Sequence, residues 1–406
     1  MDGILRPAAD WELAMMVGDL HERNTPVEVV GSGTKRSIGR PVQAATGLST
    51  AAFRGITLYE PTELVMSARA GTPLAIVEEE LARRGQMLAF EPVDYGPALG
   101  TKAGEATIGA VFATNASGPR RISVGSARDH LLGVRGVNGR GETFKSGGRV
   151  MKNVTGVDLV RGVAGSWGTL AVMTEVTFKV VPLPQDALTL VFFGLPDDIA
   201  VELLTAAVGA PYEVSGAAHL QAPIAARLQY EALRQQGKSV TAIRIENFTS
   251  SINYRRGRLK ELLEAYGRCH ELGRENSASF WGEITTLSVM PASPSLLWRI
   301  STAPRLGPQL FRAISRYMPA QALYDWSGGL IWLEVPATAD AGASDIRRVV
   351  AAHGGHATLI RADAAVRAAV DVFQPLSPGV ERLTRGIKAA FDPAGILNPG
   401  RMYAGL

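Results

Sequence analysis

Apolar and polar positions along this chain follow two periods, one helical and one alternating. Over residues 11–23 the apolar side chains fall at 13, 16, 17 and 20, one face of a helix. Pro26 then leads into Val27-Glu28-Val29-Val30, a β-branched run stopped by Gly31-Ser32-Gly33. Residues 56–59 and 64–68 read as strands. Thr72-Pro73 opens a helix as N-cap and first helical residue; Leu74, Val77 and Leu81 share its buried face and Gly85 ends it. Strand, loop and helix alternate with short connections, as in α/β architecture.

From residue 96 to residue 168 the texture changes. Glycines crowd in and long periodic runs disappear, although 131–137 reads as a strand turning at Asn138-Gly139-Arg140-Gly141 into 142–145. Residues 169–181 form the strongest strand pattern, closed by Pro182-Leu183-Pro184, where a domain boundary is expected. Beyond it lie predicted helices at 197–208, 250–272 and 344–353, and predicted strands at 189–193, 240–246, 330–335 and 357–361. A last helix starts at Ser377-Pro378, with Val380, Leu383, Ile387 and Phe391 on one face, and stops at Asp392-Pro393. The expected division is 1–184, 185–375 and 376–406, the fold class α+β.

Composition narrows the class. The 406 residues carry a net charge of +4, 46% apolar and 20% charged side chains, which describes a folded globular protein rather than a disordered one. Glycine is the outlier at 44 residues. The single cysteine, Cys269, excludes an internal disulfide and suits a reducing compartment. No run of eighteen apolar residues is present, and the first seven residues lack a signal-peptide pattern, so a cytoplasmic protein is expected. Charge is uneven: residues 120–161 hold nine basic and three acidic side chains, a local field suited to an anion such as a phosphate, or simply a solvated basic face.

Four segments carry candidate chemistry. Gly31-Ser32-Gly33-Thr34-Lys35-Arg36 follows an apolar strand, and its close glycines allow backbone N–H groups to converge on an anion, with Thr34 and Lys35 adding donors. It is not a dinucleotide fingerprint, since Arg36 stands where the third glycine belongs, and a bare turn is the alternative. The small-residue run 107–120, followed by Ser126-Ala127-Arg128-Asp129, permits close approach to a flat ligand, or is a helix packed on its neighbour. Gly165-Ser166-Trp167-Gly168-Thr169-Leu170 is a loop feeding a strand. Residues 391–401 make a helix stop and two turns, either a tie-down or the carrier of a polar side chain to a site made elsewhere.

Other patterns fail. Residues 232–239 are one glycine short of a phosphate-binding Walker loop and follow a helix rather than a strand. His353 and His356 have no third ligand close by, so no metal site is expected. No nucleophile elbow occurs, and basic residues are not interleaved with aromatics, so no nucleic-acid partner is expected.

In this order and spacing the four segments, with Tyr59-Glu60-Pro61-Thr62-Glu63-Leu64-Val65 and Gly85-Gln86-Met87-Leu88-Ala89-Phe90-Glu91-Pro92, resemble the PCMH-type FAD-binding fold of the vanillyl-alcohol oxidase family. The resemblance runs from about residue 10 to the end. Gly147-Gly148-Arg149-Val150-Met151-Lys152-Asn153-Val154-Thr155-Gly156, Gly354-Gly355-His356-Ala357-Thr358-Leu359 and Asn398-Pro399-Gly400-Arg401-Met402-Tyr403 are similar to the smaller FAD-binding subunits of bacterial glycolate oxidases within it.

The resemblance implies a two-subdomain FAD-binding domain, an α+β cap, and a C-terminal segment that returns to the FAD domain. It implies cofactor contacts from Gly31, Ser32, Gly33, Thr34 and Lys35 at the diphosphate, and from Thr107, Ile108, Gly109, Thr114, Ser117 and Gly118 along the cofactor. Arg128, Asp129, Gly165, Gly168, Thr169 and Asn398 are placed close by. Val157, Trp167 and Ala171 depart from the family's usual residues. No histidine stands in the diphosphate loop, so the FAD is expected to be non-covalent.

The His-x-Gly-x-Gly-x-x-His-like motif of related 2-hydroxyacid dehydrogenases is absent, and no catalytic residue is assigned. The resemblance therefore implies a subunit that oxidises glycolate together with a larger FAD subunit and an iron–sulfur subunit, reaching a membrane only through them. A self-sufficient dehydrogenase, with Arg299, Arg305 or Arg361 clamping a carboxylate, and a scaffold that has lost its flavin are the alternatives.

Overall fold

The computed structural model describes residues 3–148 and 158–406. The string Arg149 to Val157 lies outside the described residues, and with it most of the 147–156 motif.

Two antiparallel sheets dominate. The first has five strands in the spatial order Ile56–Glu60, Val65–Arg69, Ala171–Lys179, Leu131–Asn138, Thr143–Gly147. The alternation in the long strand Ala171–Lys179 sets its register: Val172 and Val176 are fully buried while Glu175 and Thr177 are not. Beside it, Ile4–Leu5, Thr46–Ser49 and Val27–Val30 make a small parallel sheet. Leu397 bridges to Val27, so the C-terminal segment does return to this part of the chain.

The second sheet has eight strands, built entirely from residues 186–361. Its period-two pattern feeds two cores. Val191, Ala242, Ala218, Leu323 and Trp332 point to the interior shared with the first sheet. Their neighbours Leu190, Ile243, Ala217, Ile331 and Leu333 face outward, under the helices Asp197–Gly209, Thr249–Leu262, Gly307–Ile314 and Ala343–His353. The helix Arg274–Thr285 fills the inner side with Phe280, Trp281 and Ile284.

Several expectations need correction. The helix expected over 250–272 ends at Leu262; a 3-10 turn follows, and His270–Leu272 is an edge strand paired with Thr189–Val191. Cys269 therefore precedes a strand instead of sitting in a helix. Thr72 is not a helix cap: Pro73 takes that place, and the Thr72 hydroxyl donates to the Arg69 carbonyl at 2.7 Å. Strands Val214–Leu220 and Gln321–Asp325 carry no alternation because both sheet faces are covered.

The last helix, Pro378–Phe391, turns most of its apolar face outward. Val380, Leu383 and Ile387 are exposed and Phe391 is half-buried, while Lys388 is the buried residue. Its ammonium donates to Asp392 Oδ2 at 2.7 Å and to the carbonyls of Thr169 and Leu397 at 2.7 and 3.0 Å. Three acceptors close in on one cation, and they outweigh the apolar stripe in setting which face turns inward.

Candidate cofactor cleft

The strand Val27–Val30 runs into the loop 31–36, which forms one wall of an open cleft with about 670 Å³ of space between its walls, open solvent included. Facing it are Thr50 and Ala70 from two strand ends, Gly109, Ala110, Ala113 and Thr114 from the helix Ile108–Ala113 and its cap, and Trp167, Gly168, Ala171, Met173 and Arg401.

Glycine is required at three places around this cleft. A Cβ on Gly31 would stand 2.6 Å from Thr107 Oγ1, and one on Gly109 would stand 2.6 Å from the Ala70 Cβ. Gly168 has φ +71, and a Cβ there would meet Asn398 Nδ2 at 2.8 Å. The backbone is thus bare where the walls come closest.

The charge of the cleft is positive and poorly compensated. Lys35 is 6% exposed, and among the described residues its ammonium has neither a hydrogen bond nor an ion pair. Burial lowers its pKa to about 8, against a weak opposing pull from Asp94. Arg401 donates to the Lys35 carbonyl at 2.7 Å and shares Glu28 with Arg36. Burial lowers the Arg401 pKa to about 10, and among the described residues its Nε has no partner. Buried charges are normally paired, so a cleft with two under-compensated cations and bare backbone fits a diphosphate, and the apolar Val29, Ala110, Ala113 and Met173 fit the rest of an FAD.

The site residues expected from sequence divide into two groups. Gly31, Ser32, Gly33, Thr34, Lys35, Gly109, Thr114 and Gly168 line the cleft together. The others stand behind it. Thr107 caps the helix Ile108–Ala113, and Ile108 packs in the core. Ser117 Oγ accepts from the Ala127 N–H at 2.9 Å; Gly118 lies where a Cβ would meet the Glu91 carbonyl at 2.2 Å.

Asp129 accepts from the backbone and hydroxyl of Ser126, both at 2.8 Å, in a capping box, and Arg128 is exposed. Gly165, at φ +82, turns the chain, and Thr169 Oγ1 donates to the Ser166 carbonyl. Asn398 is a clamp: its Oδ1 accepts from Val29 N at 2.8 Å and its Nδ2 donates to the Trp167 carbonyl at 2.8 Å.

Among the described residues, none of the basic stretch 120–161 is in the lining. Arg120 is paired with Glu246, Arg135 with Glu175, Arg140 with Glu142 and Arg161 with Asp158. Among the described residues the cleft's cations are Lys35, Arg36 and Arg401. Sequence reasoning missed Arg401, although it lies in the quoted 398–403 string, and it missed Thr50 and Ala70, which only the sheet brings here.

Of the three arginines considered for a carboxylate, Arg361 is tied to Ser295, Ala98, Met290, Pro291 and Glu334, and Arg305 is exposed. Arg299 stacks on Trp326 and Trp332. Among the described residues no group of three or more histidine, cysteine or acidic side chains could hold a metal, and no helix is long and apolar enough to cross a membrane.

Comparison with known proteins agrees with this cleft. Residues 1–147 match the family described as FAD binding domain. The chain is 35% identical over 387 residues to glycolate oxidase subunit GlcE of Escherichia coli K12, covering 94% of each protein. It is 24% identical to glycolate oxidase subunit GlcD of Bacillus subtilis over 99% of this chain and 89% of that one. In fold it is similar to 4-ethylphenol oxidase from Gulosibacter chungangensis, with a TM-score of 0.74, 14% identity, and coverage of 100% of this chain and 91% of that one. It is likewise similar to p-cresol methylhydroxylase, with a TM-score of 0.73, 13% identity, and coverage of 98% and 88%.

Proposed function

The chain belongs to the family of GlcE-type, PCMH-type FAD-binding proteins, and from that membership we propose that it is the FAD-binding subunit of a glycolate-oxidising assembly. FAD is its cofactor and its class is FAD-dependent oxidoreductase. The observation that carries the reading is Lys35, a buried ammonium with no partner among the described residues, on a glycine-walled cleft.

Bound FAD supplies the acceptance of electrons from a CH–OH donor. The chain's own residues hold and orient it. Gly31, Ser32, Gly33 and Thr34 offer backbone and hydroxyl donors to the diphosphate, and Lys35 and Arg401 neutralise it. Gly109, Thr114 and Gly168 let the walls approach. Residues 1–184 with 376–406 act as the cofactor-holding unit and 185–375 as a cap over it. The cleft lining holds no histidine, cysteine or tyrosine among the described residues, which supports non-covalent binding. The missing 2-hydroxyacid motif supports reliance on a larger FAD subunit for the oxidising site, with an iron–sulfur subunit to carry electrons onward.

The test is purification alone and with the two partner subunits, reading flavin absorbance and glycolate-dependent dye reduction together. Expected are a flavin spectrum from the chain alone, flavin released on acid precipitation, and dye reduction only in the assembly. A colourless protein would sink the cofactor reading. Rapid bleaching of the isolated chain by glycolate would make it a self-sufficient dehydrogenase.

A further inference from the structure

Away from the cleft, two cations converge on one aromatic ring. The guanidinium carbon of Arg121 lies 4.2 Å from the Trp326 ring centroid, and that of Arg299 lies 5.0 Å from the same centroid and 5.9 Å from that of Trp332. Among the described residues neither guanidinium makes a hydrogen bond or an ion pair. Burial and then mutual repulsion disfavour the charge on Arg121, and burial disfavours it on Arg299.

Compensation among the described residues is poor. The acid whose field reaches Arg299 is Asp325, 2% exposed, whose carboxyl accepts from the Trp326 N–H at 2.7 Å. Burial raises its pKa to about 7, so near neutral pH much of it is uncharged. Arg121 feels Asp129, which is already engaged by Ser126, and the opposing charge of Arg128. His356, on the solvent side, has its proton disfavoured by desolvation and by Arg299 and Arg121.

The platform is held rigidly. Trp326 and Ser327 both have positive φ, +50 and +61, a costly backbone state for residues with side chains. The Trp326 indole N–H donates to the Gly118 carbonyl at 3.0 Å, tying the cap to the loop behind the cofactor cleft. Ser327 Oγ, in a residue 3% exposed, has no partner among the described residues.

A rigid aromatic plate carrying two uncompensated guanidiniums is a site for an anion. We propose that Arg121 and Arg299, mounted on Trp326, bind a small carboxylate, each guanidinium offering the fork of donors that suits such a group. That this carboxylate is the substrate or product of glycolate oxidation rests on the reading above; the anion site does not.

The test uses the purified full chain, titrated with oxalate, a two-carbon dicarboxylate, and separately with inorganic phosphate, by tryptophan fluorescence. Saturable quenching by oxalate is expected, weakened at least ten-fold in Arg121→Gln and in Arg299→Gln, and unchanged in Arg305→Gln. Phosphate is expected to bind at least ten-fold more weakly than oxalate; equal binding would overturn the carboxylate assignment.

Absent saturation with oxalate, or unchanged affinity in Arg121→Gln, overturns the site. Arg121 lies on a four-residue surface helix, so that variant decides the matter even where Arg299→Gln fails to fold. Oxalate binding by a flavin-free chain would defeat the cofactor reading and leave this site standing.

Discussion

Arg120 forks onto Glu246, Nε to Oε2 at 3.0 Å and a terminal nitrogen to Oε1 at 2.7 Å, joining a loop of the cofactor-holding unit to a strand of the eight-stranded sheet. Glu91 and Arg244 repeat the exchange in the opposite sense, at 3.0 and 2.8 Å, so two carboxylates and two guanidiniums interlock between the units. Burial alone would raise the Glu246 carboxyl. The charges of Arg244 and Arg120, with hydrogen bonds from Arg120 and Ser215, hold it at about 2.

Arg120→Ala should therefore cost about 3–5 kcal/mol, the penalty of stranding a buried charge. Glu246 gives this clasp an acid limit. Its folded pKa is depressed, so its stabilisation is complete above the unfolded carboxylate range near 4.5 and fades as pH falls toward about 2. Urea titrations at pH 7 and pH 3 measure this. A gap between wild type and Arg120→Ala that does not shrink at pH 3 would contradict it.

Lys35 predicts opposite effects on stability and on cofactor binding. Without flavin, a buried unpaired ammonium opposes folding, so Lys35→Met should raise the Tm of the apoprotein while weakening FAD affinity about ten-fold or more, on the order of 1.4 kcal/mol. The lowered pKa means the unfolded chain binds more protons between pH 8 and 10.5, so this residue's contribution to apoprotein stability rises with pH there. Flavin affinity should fall over the same range. Calorimetry and flavin fluorescence titration at pH 7 and 9.5 separate the two.

Gly109→Ala should reduce flavin content through packing. The added methyl meets both the Ala70 Cβ at 2.6 Å and the Ala70 carbonyl at 2.7 Å, and the backbone must shift. A destabilisation of about 1–3 kcal/mol is expected, with flavin per chain reduced. Wild-type flavin content and Tm in this variant would show that the walls can part freely.

The last helix offers a contrast. Leu383→Ala should lie within about 0.5 kcal/mol of wild type, since this leucine is 67% exposed. Lys388→Ala leaves Asp392 buried without its cation and should cost about 3–5 kcal/mol. Chemical denaturation of both variants checks the order, which is the reverse of what the apolar stripe suggests.

Much of the cofactor unit was legible in the sequence because its signals are local. A glycine pair after a β-branched strand marks the loop 31–36, and a continuous apolar run marks the strand Ala171–Lys179. The cap was read less well: Val214–Leu220 and Gln321–Asp325 are buried on both faces and lose the alternation that identifies a strand, whereas the strand expected at 330–335 is present. Lys388 shows the same difficulty in a helix, because its acceptors at 169 and 397 become neighbours only after folding. The described charges of 120–161 divide for a related reason: Arg120, Arg135, Arg140 and Arg161 are paired, while Arg121 stacks on Trp326. Composition counts charges, while pairing decides which of them a ligand would meet.

Asn398 accepts from the N–H of Val29, 369 positions earlier in the chain. On the ribosome, the strand that feeds the loop 31–36 must therefore wait until residue 398 has been made before this support arrives. The cap's strands and helices, contained within 186–361, have all been synthesised by then and are free to fold first. Flavin capture becomes a late event that follows the cap, and a chain interrupted before residue 398 would emerge with a formed cap and an unfinished cofactor cleft.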